Sequence, residues 1–83
     1  MTQGWLKCRV FKGMFSDELA VTCGETSVFV PKENVNAASP EGGPVDGQVH
    51  VRLFKEGKTM WAILPAESQP IIQIDEADLV LGT

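Results

Sequence analysis

Apolar and polar residues alternate along most of this chain with a period of two, the spacing of half-buried strands rather than of an amphipathic helix. From Trp5 to Phe11, Leu6, Cys8 and Val10 share one parity and Lys7 and Arg9 the other. From Glu18 to Cys23 the apolar set is Leu19, Val21 and Cys23. Gly24-Glu25-Thr26 interrupts the run, and a short strand is predicted to resume over Ser27-Val28-Phe29-Val30. Pro31 ends it by removing an N–H donor, and its fixed φ suits the start of a helical turn. That turn is expected over Lys32 to Val35, with Val35 closing it onto the core.

Residues 36–47 hold two Pro and three Gly without periodicity and read as one long loop. Alternation returns after Gly47, with Val49, Val51 and Leu53 inward and His50, Arg52 and Phe54 on the opposite face. Glu56-Gly57 reads as a tight hairpin turn of the Asp-Gly type, pairing this strand with the next. In that next run both parities are apolar, Met60, Ala62 and Leu64 against Trp61 and Ile63. Such a strand is buried on both faces or offers one face to a partner. Residues 65–70 form a second loop and 71–75 a last strand. The chain then repeats its earlier device: Asp75 caps a turn, Asp78 takes the third position and Leu79 anchors it.

The reading is one all-β domain over residues 1–83, with five or six short strands, two single helical turns and no amphipathic helix. Too few strands are present for a two-layer sandwich, so a small, strongly bent barrel is the economical way to remove exposed sheet edges. In strand count, loop order and the closing turn Ile74-Asp75-Glu76-Ala77-Asp78-Leu79-Val80, the chain resembles the SH3-like small barrels, a group that includes KOW, Tudor and Sm-type modules. The resemblance spans roughly residues 5–80 and implies a binding module. The Ala-Leu-Tyr-Asp-Tyr stretch of peptide-binding SH3 domains is absent, and the chain has no Tyr. Recognition of proline-rich peptides through an aromatic groove is therefore not implied.

Composition narrows the picture further. The chain has 83 residues, 43% apolar and 22% charged, which is ordinary globular composition. Its longest apolar run, Met60 to Leu64, is far short of the ~20 residues that span a bilayer. The start Met1-Thr2-Gln3-Gly4-Trp5 lacks a basic segment followed by an apolar one, so a secretory signal is not expected. A soluble, cytoplasmic protein without membrane attachment is the expectation. In that compartment Cys8 and Cys23 are expected to be reduced, and pairing them calls for a bulge that brings them opposite.

Chemistry is sparse. His50 is the single histidine, and no nucleophile stands in a pattern with it. The acidic group Asp75, Glu76 and Asp78 lacks the spacing of a calcium loop, and Cys8, Cys23 and His50 lack paired zinc-ligand spacing. No enzymatic activity, metal or cofactor is expected. Binding is the better prospect. Met14 and Phe15 stand at the tip of a loop between two strands, and with Trp61 and Ile63 they are the candidate contact residues for a protein partner or for self-association. Within the loop, Phe15 is expected to point inward as a barrel plug and Met14 outward. The alternative is a single-strand nucleic-acid platform made by Trp5, Lys7, Arg9, Phe11, Arg52 and Phe54. The formal charge of −4 disfavours it.

Overall fold

The computed structural model describes residues 2–80. Its strands are β1 (Thr2–Lys12), β2 (Glu18–Cys23), β3 (Thr26–Pro31), β4 (Val35–Asn36), β5 (Val45–Glu56), β6 (Thr59–Ile63) and β7 (Ile71–Ile74). Three 3-10 turns, Lys32–Asn34, Pro40–Gly42 and Glu76–Asp78, supply the remaining regular structure. All pairings between strands are antiparallel, in the order β3-β2-β1-β5-β6-β7, with the two-residue β4 also on β5. The result is a nearly closed all-β barrel, compatible with an SH3-like architecture.

Two long strands make this closure with few residues. β1 pairs β5 over most of its length and β2 over its last four residues. On its free flank, Leu6 bridges Leu79, and the Val80 N–H donates to the Trp5 carbonyl at 2.9 Å. β5 carries β1 on one edge, with β4 and then β6 on the other. Both hairpin turns place a glycine first, Gly24 at φ 61° and Gly57 at φ 62°, the conformation that a two-residue type II′ turn requires.

The core follows the alternation. Leu6, Val10, Leu19, Val21, Cys23, Val30, Val49, Val51, Leu53, Ala62, Leu64, Ala66 and Ile74 are buried, and Cys8, Val35, Met60 and Leu79 pack against them. Both turns read from the sequence are present, and in the last the Asp78 carboxylate accepts the Asp75 N–H at 3.1 Å. The long loop is shorter than its composition suggested. Val35 and Asn36 pair with Val49 and Gln48, residues 40–42 form a turn, and β5 already begins at Val45. Gly47 interrupts the alternation of the sequence while lying in the ladder opposite Cys8. A Cβ there would lie 2.6 Å from that of Ala37, so close packing demands the glycine.

Candidate functional site

The loop between β1 and β2 turns its apolar residues outward. Met14 is 75% exposed and Phe15 67%, which overturns the expectation of an inward Phe15 plug. The physical reason is that branched aliphatic side chains already fill the barrel. Every phenyl ring in the chain lies outside the set of buried residues. The loop is held by its own backbone instead. The Glu18 N–H donates to the Phe15 carbonyl at 3.3 Å, and the Glu18 carboxylate accepts the Met14 N–H at 3.2 Å. Gly13 packs so tightly against this arrangement that a Cβ would lie 2.4 Å from the Glu18 carbonyl oxygen.

Beside the loop lies an open groove of about 1140 Å³. It is lined by β3 from Val28 to Pro31, by Pro65 to Ser68, and by Met14 and Phe15 of the loop. Phe29, 48% exposed, is its third large apolar residue. Every charged residue lining the groove is acidic: Asp17, Glu18, Glu33 and Glu67. On the other side of the same loop is a second hollow of about 440 Å³, bounded by residues 35–41 and carrying Lys12 and Lys32. The Lys32 ammonium donates to the Ser16 carbonyl at 3.4 Å, away from the acidic groove.

Trp61 and Ile63 do not join Met14 and Phe15 in this groove. Their parity puts them on the outer face of the β5–β6 hairpin, where Trp61 pairs with Phe54 and Ile63 with Arg52. Both are only half-exposed, and the Trp61 indole N–H is shielded from solvent without an acceptor among the described residues. The outer faces of β1 and β5 do adjoin. Trp5 pairs with His50 in the ladder, their rings 5.2 Å apart and edge-to-face at 62°. Phe11 is remote from that pair, opposite Ala20 at the far end of β1.

The cations of that face already have partners. Arg9 bonds the Asp46 carboxylate at 2.8 Å, the Lys7 ammonium donates to the Ala77 carbonyl at 3.3 Å, and the Arg52 guanidinium donates to the Gln69 side-chain oxygen at 3.1 Å. All are solvent-exposed and individually weak. Their effect is to mix acceptors into the stripe rather than to leave an unbroken basic surface.

Phe29, Glu33 and Glu67 were not singled out by the sequence. Phe29 carries a legible signal, since it has the opposite parity to the core residues Val28 and Val30. The two glutamates carry none, because only the fold brings a turn and a distant loop to one groove. Among the described residues no group of three or more His, Cys, Asp or Glu side chains is arranged to hold a metal ion. None of the described helical segments is long and apolar enough to cross a membrane. Comparison with protein-family models, with curated proteins and with solved structures finds no match to this chain.

Proposed function

We propose that this chain is a non-enzymatic interaction module that binds protein in the groove between β3 and residues 65–68. The observation that carries the reading is the convergence of Met14, Phe15 and Phe29, all exposed, on one concave surface. Exposed large apolar side chains gathered in a hollow are the usual mark of a partner site. The hollow also exceeds the ~300–1,000 Å³ of small-molecule sites and is open along its length, which favours a polymer over a metabolite. An SH3-like module of cytoplasmic location agrees with this role.

Short random linear peptides displayed and selected on the chain test the proposal. Binders are expected to be lost on Phe15→Ala and Phe29→Ala. Selection of binders indifferent to both substitutions would overturn it. The nucleic-acid reading has one observation in its favour, the Trp5–His50 pair beside Arg52. Titration with single-stranded RNA and DNA at low salt separates the two. Binding abolished by Lys7→Glu, Arg9→Glu and Arg52→Glu would move the functional surface to the outer face of β1 and β5.

A further inference from the structure

We infer that the groove takes an extended, basic segment of a partner protein, which adds to the barrel as a new strand along the free edge of β3. The inference rests on the groove being the binding site and concerns how that site is filled.

The first argument is the unfilled edge. β3 ends the strand order, and among the described residues its only pairing is with β2. The two-residue turn at Gly24-Glu25 sets the phase of the β2–β3 ladder. In such a hairpin the residues flanking the turn form a hydrogen-bonded pair, and hydrogen-bonded pairs alternate from there. Thr26, Val28 and Val30 therefore direct their backbone groups at β2. Ser27 and Phe29 direct theirs outward, and among the described residues no other backbone bond engages them. An edge of this kind is a template for another chain, and strand addition to it is a recurring mode of peptide recognition.

The second argument is location. The groove is lined by consecutive residues of β3, from Val28 to Pro31, and so by positions of both parities. A hollow that touches both faces of one strand runs along its edge, where an added strand would lie about 4.8 Å away. Residues of the added strand then alternate between the barrel interior and the Phe29 side.

The third argument is charge. Asp17, Glu18, Glu33 and Glu67 line the groove without any Lys or Arg. A segment with Lys or Arg at intervals, alternating with apolar residues, is complementary to both features. An acidic segment is repelled.

The test takes the peptides selected above, synthesised free, and follows amide hydrogen exchange of the 83-residue chain by NMR. Selected peptides are expected to alternate Lys or Arg with apolar residues and to slow exchange at Ser27 and Phe29. Methylating alternate peptide nitrogens should remove that protection, and Glu33→Lys with Glu67→Lys should weaken binding by about tenfold or more. A peptide that depends on Phe15 and Phe29 yet leaves both amides unprotected overturns strand addition and spares the groove. Peptides indifferent to Phe15 and Phe29 overturn both. Protection of the two amides that rises with protein concentration, without peptide, assigns the edge to a second copy and overturns the inference.

Discussion

Cys8 and Cys23 occupy the positions one step beyond the Arg9–Thr22 pair of β1 and β2, Cys23 within the buried core and Cys8 packed against it. No bulge is needed to bring them opposite, contrary to the condition that the sequence suggested. Alternation from the Gly24-Glu25 turn makes theirs a non-hydrogen-bonded pair, in which Cα atoms are typically ~4.5 Å apart. That separation lies within the ~4.4–6.8 Å range of disulfides. Both thiols are free.

Oxidised glutathione should therefore close an intramolecular disulfide, releasing two molecules of reduced glutathione and leaving the chain lighter by two hydrogens. Cross-linking so short a loop should stabilise the fold by ~3 kcal/mol against the reduced protein. Intact mass and the denaturant midpoint check this. A glutathione adduct that persists on Cys8 would show that the thiols cannot reach bonding geometry.

The same pair predicts a stability profile with two slopes. The hydrogen bond from Cys23 holds the Cys8 thiol below its ordinary value of 9.0, with burial opposing. Its bond to Cys8 pushes the Cys23 thiol far above that value, aided by burial and by the charges of Cys8 and Asp78. Between the lowered Cys8 value and 9.0 the folded chain binds fewer protons than the unfolded, so stability rises with pH. Above 9.0 Cys23 keeps a proton that the unfolded chain releases, so stability falls. Cys23→Ala, which removes both the donor and the second thiol, should flatten both limbs, measured as the urea midpoint across pH. An unchanged profile would remove the thiols as its cause.

Gly13→Ala should displace the loop that carries Met14 and Phe15, because its new methyl meets backbone at Glu18 rather than a movable side chain. A loss of ~1–3 kcal/mol is expected, as for other overpacked sites. Changed amide shifts across residues 13–18, with the β1–β5 ladder intact, would confirm the local cause. A variant as stable as the parent would show that the loop yields without cost.

Phe15→Ala should change stability by less than ~0.5 kcal/mol, as expected for an exposed side chain. Leu64→Ala, which empties a fully buried position, should cost ~2–5 kcal/mol. Thermal or denaturant unfolding of the two variants decides the matter. A large loss at Phe15 would return it to the role of core plug.

The candidate site was only partly legible before folding. Met14 and Phe15 stood out because two large apolar residues at a loop tip have no strand to bury them. Phe29 did not, since a phenylalanine in a three-residue apolar run looks like core until its parity is set against Val28 and Val30. Trp61 and Ile63 share only apolarity with the loop. Alternation placed them on the outer face of β6, beside Phe54 and Arg52, and apolarity carries no information about which surface a residue shares.

Local physics determined the strands, their inward faces, the glycine turns and the capped turn at Asp75, because each depends on residues near in sequence. Side-chain period, absent Cβ atoms and a missing proline N–H act within a few positions. Only the tertiary structure decided that Gly47 belongs to a strand, that Cys8 meets Cys23, and that β3 is left with an open edge. It also decided that Glu33 and Glu67 share one groove. Those outcomes depend on long-range register, and register is set by how the whole barrel closes around an aliphatic core.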